Sequence, residues 1–440
     1  MIKLRVWHAF LLAMVAISQQ VTAADAGSRY SQLASDTSVS NSGTTILQQT
    51  INLSTGTWVF VESDGRYYPN GGNPIGSVWI AVDGSQVSNL SVDDWSQSTN
   101  RKQHCFNAIG AVYLNPGSHT ISLLAATLNP GVVVIGAESN LSTVINPATS
   151  VTNATMGADS AQLSYNTAGL TLLSPLPHST QVSTSINAQA GASLIALASS
   201  RIYEWGNQGD PLTTITMDGQ TPANNVGTWS DNDMNSGAEK QAPFFNHAIY
   251  NGLSNGFHVV GIDTSAIPYV GGTNTVQYRF GADSTLVTLS GGMSVFGSAS
   301  LSSTQNNVAN YVIIGSSNPS SGFPPTGTMY PIVQADIVIP SGHNGNVFIT
   351  GKTRVQGDAG DQGGTVYFLM TIDGAQVGSL GVQQLASPNS ASSRTMSTSY
   401  LATGSGALSP GTHHVVLYGE AVGSFAHLAM TQDLPLIWFD

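Results

Sequence analysis

Apolar and polar residues alternate with period two in three blocks of the chain: "TTILQQTINLSTGTWVFVES", "STQVSTSINAQAGASLIALAS" and "YPIVQADIVIPSGHNGNVFITG". Residues two apart in a strand share a face, so each block predicts half-buried β-strands joined at a turn. A Gly-rich stretch follows in every case, as "YYPNGGNPIGS", "YEWGNQGDPLT" and "QGDAGDQGGT". Then comes a strand closed by Asp-Gly, at Asp83-Gly84, Asp218-Gly219 and Asp373-Gly374. Asp-Gly between apolar runs is a strong hairpin signal, because both turn positions want positive φ.

A third landmark completes the unit. Gly-x-His opens an apolar strand at His119, His258 and His413, which lie 36, 40 and 40 residues after the three aspartates. Short aliphatic strands close each unit at "STVIN", "STLVTL" and "PLIWFD". The same landmarks in the same order define a triplication. Strands with turn signals every ~8 to 12 residues, in units of about 110 residues, predict β-sandwiches. The expected fold is all-β, three tandem jelly-roll-like β-sandwich domains over 40–147, 178–290 and 330–440. Residues 148–177 and 291–329 are expected to be linkers carrying an extra strand, since structureless loops that long are uncommon.

The short strand ending in "VDG", the "L-x-P-G-x-H" stretch at Leu114–His119 and Leu408–His413, and the aliphatic last strand resemble jelly-roll modules of the tumour necrosis factor and complement globular-head type. The second unit departs from the pattern with "LSNGFH". The resemblance implies a fold and a habit of packing in threes, hence an intramolecular pseudo-trimer of the repeats. It carries over no residue role.

Composition adds an address and removes some partners. Residues 1–24 read as a secretory signal, with Lys3 and Arg5, an apolar run from Val6 to Ile17, and a small-residue cleavage site. The expected location is secreted, or extracellular and cell-surface associated. The chain holds 12 Lys+Arg against 24 Asp+Glu, and without the leader 10 against 24, or −14. That sign argues against nucleic acid as a partner. No later run reaches the ~18 apolar residues that a membrane-spanning helix needs. A single cysteine, Cys105, cannot form an internal disulfide, so burial has to hold the chain together. Charged residues make up 8% of the chain against the ~25% usual in globular domains, which suits an extracellular all-β protein.

The recurring histidines are the first candidate for chemistry. His119 shares a face with Ile121 and Leu123, His258 with Val260 and Ile262, and His413 with Val415 and Leu417. A ring at the edge of a core and bonded to a loop carbonyl fits that position; acid–base or metal chemistry is the competing reading. Cys105 reads as a small buried hydrophobe. Calcium is the candidate cofactor. "DNDMNSG" sets Asp231, Asp233 and Asn235 at alternate positions like the start of an oxygen-ligand loop, and "GDAGDQGG" offers Asp358 and Asp361, where plain turns are the other reading.

Aromatic rings in matched loops form the candidate ligand surface: Tyr67, Tyr68 and Trp95 in the first unit, Tyr203, Trp205 and Trp229 in the second. Such rings stack on sugar faces, or they lid the end of a sandwich. Glycan acceptor patterns stand at Asn52, Asn89, Asn140 and Asn153. The functional expectation is a non-enzymatic binding or surface-structural protein for adhesion, recognition or extracellular assembly, with an extracellular glycan or protein surface as partner. The alternative is a glycan-binding or glycan-active protein with its site in the aromatic loops.

Overall fold

A computed structural model of the protein describes residues 27–40, 43–94, 103–160, 163–166, 179–205, 209–220, 228–229, 240–268, 275–291, 293–298, 312–313, 327–342, 345–357, 362–384, 392–424, 428–433 and 435–439. The expected leader at 1–24 lies outside them. Among the described residues the regular structure is strand throughout, apart from one 3-10 turn at Gly404–Gly406. No helix among them is long and apolar enough to cross a membrane.

Each repeat is a sandwich of two antiparallel sheets. In the first repeat one sheet is built around the long strand Thr57–Gly72, which pairs with His104–Leu114 on one side and with Gly131–Ile135 and Asn140–Ile145 on the other. The opposing sheet runs Thr44–Leu53, Gly117–Thr127, Ile75–Val82, with Ser91–Asp94 beyond. The second repeat repeats this plan with Leu194–Trp205 at the centre of one sheet and Ser179–Ala188, Gly256–Pro268, Gly209–Met217 and Thr228–Trp229 in the other. In the third repeat Asn346–Gly357 takes the central place, faced by Tyr330–Ile339, Gly411–Ser424, Gln362–Ile372 and Ala375–Gln384.

The copies agree down to an irregularity. The entry strand of each opposing sheet slips register by one residue, at Thr45/Leu47, Thr180/Val182 and Pro331/Val333, four positions before the residue that faces the recurring histidine. A bulge kept at one register in three places is a feature of the unit. The stretches expected to be linkers are also part of it. Ser150–Thr155 and Leu163–Asn166 pair into the second repeat's sheet, and Met293–Ser298 and Val312–Ile313 into the third's. Arg29–Gln32 and Thr37–Val39 do the same in the first, which therefore begins before residue 40.

The three sandwiches share a core. Phe60, Ile195 and Phe348 occupy corresponding positions on the three central strands, and all are buried in one cluster with Ala111, Ile249 and Leu401 from the strands paired beside them. The Phe60 and Phe348 rings meet edge to face at 5.5 Å. Around this axis the contacts run head to tail. Ser91–Asp94 of the first repeat lies on Lys240–Tyr250 of the second; Thr228–Trp229 of the second lies on Ser392–Ala402 of the third; Ala375–Gln384 of the third lies on Thr57–Gly72 and His104–Leu114 of the first. The same kind of contact used three times closes a ring.

Two residues further along the central strands the axis turns polar. Glu62, Leu197 and Thr350 form one level, and Asp64, Ser199 and Lys352 the next, all buried. Hydrogen bonds cross the repeat boundaries here. Ser199 Oγ donates to the Asn107 carbonyl at 3.2 Å and Asn140 Nδ2 to the Ser399 carbonyl at 2.8 Å, while Ser397 Oγ donates to Asp64.

Strand direction sorts the loops. Leu53, Thr57, Leu114, Gly117 and the Asp83-Gly84 turn share one end of the first sandwich; Gly72, Ile75, Asp94, His104, Thr127 and Gly131 share the other.

Candidate functional site

The Asp-Gly turn and the Gly-x-His strand are two halves of one device. Asp83, Asp218 and Asp373 sit at φ 50°, 52° and 51°, followed by Gly84, Gly219 and Gly374 at φ 82°, 74° and 81°. These are the left-handed values of a two-residue hairpin turn, and asparagine and aspartate are among the few non-glycine residues that adopt them readily. In each repeat one carboxylate oxygen then accepts from His Nδ1 at 2.7 Å. The other accepts from the main-chain N–H just after the histidine, at 2.8, 2.9 and 2.8 Å. His Nε2 donates to the carbonyl four residues earlier, from Asn115 at 2.8 Å, Ser254 at 3.0 Å and Ser409 at 2.8 Å. The glycines that open these strands, Gly117, Gly256 and Gly411, have φ of 144°, 132° and 142°, which side chains disfavour.

A carbonyl and a carboxylate are both acceptors, so each ring nitrogen has to carry a proton and the clamp favours the imidazolium. His119 and His258 are raised above the ordinary histidine value by the aspartate first and the carbonyl second; His413 is raised by Ser409 and Asp373 against the opposing effect of burial. Hydrogen bonds from the histidine and the following N–H hold Asp83 and Asp218 below the ordinary aspartate value, and Asp373 by the same pair with the N–H of His414 foremost. A ring with both nitrogens engaged and protonated cannot serve as a base. It ties the hairpin to the neighbouring strand.

The sign of the linkage follows. The raised histidine stabilises fully below its ordinary value of 6.5 and loses this as pH climbs through its higher folded value. The depressed aspartate stabilises above 3.8 and loses this as pH falls through its lower folded value. The clamps therefore contribute most between about pH 4 and 6.5. Asp218→Asn, which keeps the turn and removes the charge, is expected to lower the melting temperature at pH 5.5 more than at pH 8.5. Equal losses at the two pH values would refute the charged clamp.

Buried charge at the axis forms a second cluster. Asn107 Nδ2 donates to Glu62 Oε1 at 3.1 Å and to Asp64 Oδ1 at 2.8 Å, with Asp64 also receiving Ser397. Burial pushes Glu62 well above the usual carboxyl range, helped by the adjacent Asp64, and raises Asp64 as well. Two neighbouring carboxyls in a dry site stay at least partly protonated. Cys105 fits the buried-hydrophobe reading: it is buried with the third repeat's core and its thiol is pushed up to about 12, by burial first.

The predicted aromatic surface is redistributed. Tyr67 and Tyr68 belong to the strand Thr57–Gly72, not to a loop, so they point to opposite faces. Tyr67 is fully buried and packs edge to face on Phe106 at 5.6 Å, which corrects its assignment as a ligand-facing ring. Tyr203 is corrected too: it is buried, with Arg201 and Arg279 guanidinium groups over its ring at 5.1 and 4.4 Å. Tyr68 is half-buried; it donates to Asp36 at 2.5 Å, and burial and that carboxylate push its hydroxyl up to about 12. Trp205 ends the strand Leu194–Trp205, and Trp229 ends Thr228–Trp229. Trp95, the calcium candidates Asp231, Asp233 and Asn235, and Asp358 and Asp361 lie outside the described residues. The strand ends that flank these positions share one end of each sandwich, opposite the clamps. Two glycan acceptor patterns are closed by burial, because Asn89 Nδ2 donates to the Asn107 carbonyl at 3.1 Å and Asn140 Nδ2 to Ser399.

No protein-family model matches the chain, and no curated protein matches it. Among solved structures, a glycosylasparaginase from Flavobacterium meningosepticum, PNGase F, is similar at a TM-score of 0.29 and 9% identity, over 60% of this chain and 96% of that one. The infectious bursal disease virus structure of the Gt strain gives 0.24 and 10%, over 96% and 83%. A tandem CBM22 pair from Paenibacillus barcinonensis gives 0.17 and 11%, over 63% and 97%. The all-β sandwich class rests on the strands themselves, and the neighbours carry no functional argument.

Proposed function

We propose that the protein is an exported, non-enzymatic recognition or surface-assembly protein, in which three β-sandwich repeats act as one pseudo-threefold trimer within a single chain. The observation that carries this reading is the buried cluster that takes Phe60, Ile195 and Phe348 from corresponding positions of the three repeats. It ties the repeats into one body, so the loops opposite the clamps are presented together and multivalently. The partner is an extracellular glycan or protein surface met at that end of the sandwiches, where the strand carrying Tyr68 and the strands ending at Trp205, Trp229 and Asp94, the residue before Trp95, come together. Calcium, if the acidic stretches take it, acts in the same loops and not at the axis.

Small-angle scattering of the mature chain tests the single body. A compact particle of this length has a radius of gyration of about 22 Å; three separated beads would overturn the reading. A glycan array run with and without calcium then reads the partner. Binding lost in Trp229→Ala places the ligand in the loops. Binding that persists in that variant and in Trp95→Ala removes the aromatic loops from recognition, and turnover of any arrayed glycan would make the protein an enzyme.

A further inference from the structure

Lys352 lies in the middle of a buried strand and is 1% exposed. Its Nζ contacts Oδ1 of Asn246, which is fully buried and belongs to the second repeat. The main chain of His247 holds both partners. Its carbonyl accepts from Lys352 Nζ at 3.2 Å, and its N–H donates to Asn246 Oδ1 at 2.8 Å. Asn246 Nδ2 in turn donates to the Thr213 carbonyl at 3.2 Å. An amine is thus set against a side-chain amide whose oxygen is polarised by a main-chain donor and whose nitrogen is held apart on a separate acceptor. Acyl transfer uses these features: an amine beside the amide, a donor where the oxyanion develops, and a buried site.

We infer that Lys352 and Asn246 form an intramolecular amide bond that joins the third repeat to the second. The reacting form is the uncharged, nucleophilic amine. Nζ attacks Cγ of Asn246, the new C–N bond forms, and the carbonyl electron pair moves onto Oδ1, where the His247 N–H stabilises it. A proton passes from the attacking nitrogen to Nδ2, the old C–N bond breaks and ammonia departs. When the lysine starts as ammonium, its extra proton leaves with the ammonia as ammonium, so charge balances and no oxidant or cofactor takes part. Water is excluded, which keeps hydrolysis from competing. The bond would serve a chain that has one cysteine, and so no internal disulfide, as a covalent staple.

The test is a peptide map of the full chain, purified folded and then denatured and digested. The expected product is one branched peptide containing Lys352 and Asn246, lighter than the two linear peptides together by the mass of one ammonia. Lys352→Met, a substitution of similar length, removes that branched peptide, and Lys352→Arg, which keeps a long polar side chain, does the same. Digestion of the unsubstituted protein that returns both segments only as linear peptides, after prolonged incubation in the folded state, overturns the inference and needs no variant to fold. A branched peptide joining Lys352 to a different residue overturns the assignment of Asn246.

Discussion

Replacing Phe348 by alanine is expected to cost about 3–5 kcal/mol, the range for deleting a large ring from a packed core. The loss should not stay in the third repeat. Phe348 meets Phe60 of the first repeat and shares its cluster with Ile195, Leu197 and Phe245 of the second. Hydrogen exchange is the measurement, because it reads strands one at a time. Amides of His104–Leu114, in the first repeat, should exchange faster in Phe348→Ala than in the unsubstituted protein. Unchanged protection there, with faster exchange confined to 346–357 and its neighbours, would mean that the repeats fold independently.

The second large effect runs the other way. Glu62→Gln is expected to stabilise the protein at pH 8 by about 1–3 kcal/mol, the cost of leaving a buried group poorly satisfied. Burial holds the Glu62 carboxyl protonated well above its ordinary 4.5, so the folded chain binds a proton that the unfolded chain has released. Stability therefore falls as pH rises from 4.5 toward the folded value. Glutamine keeps an oxygen for Asn107 and removes the titration. Urea unfolding at pH 4.5 and pH 8 compares the two, and the gain should shrink at the lower pH. An equal gain at both values would show that the carboxyl does not titrate between them.

The repeating unit was legible because its landmarks are local. Asp-Gly sets its own φ values, and Gly-x-His opens its own strand, so each could be read from a few neighbours. Their union could not. Asp83 and His119 stand on different strands, and alternation tells which face a side chain occupies but not what it meets across the sheet. The same limit hid the axis. The central strand Thr57–Gly72 is buried on both faces from Val59 to Gly65, so period two disappears there, and the charges of Glu62 and Asp64 gave no sign of being interior. Lys352 was the available signal: a lysine inside the apolar strand "NVFITGKTRV" calls for a buried partner. Gly71 and Gly72, close behind Tyr67 and Tyr68, signal a loop in the sequence, yet the strand continues through both glycines.

One chain carrying three copies escapes a restriction that binds true homotrimers. Three identical subunits must place the same residue three times around their axis, so any charge there meets its own likeness twice. At the level of Asp64, Ser199 and Lys352 this protein places an acid, a neutral hydroxyl and a base. Such an assortment is open only to copies that share one chain and differ in sequence. The order in which they stand around the axis now encodes which repeat neighbours which, so permuting the three would bring wrong partners together even though each sandwich folds alike.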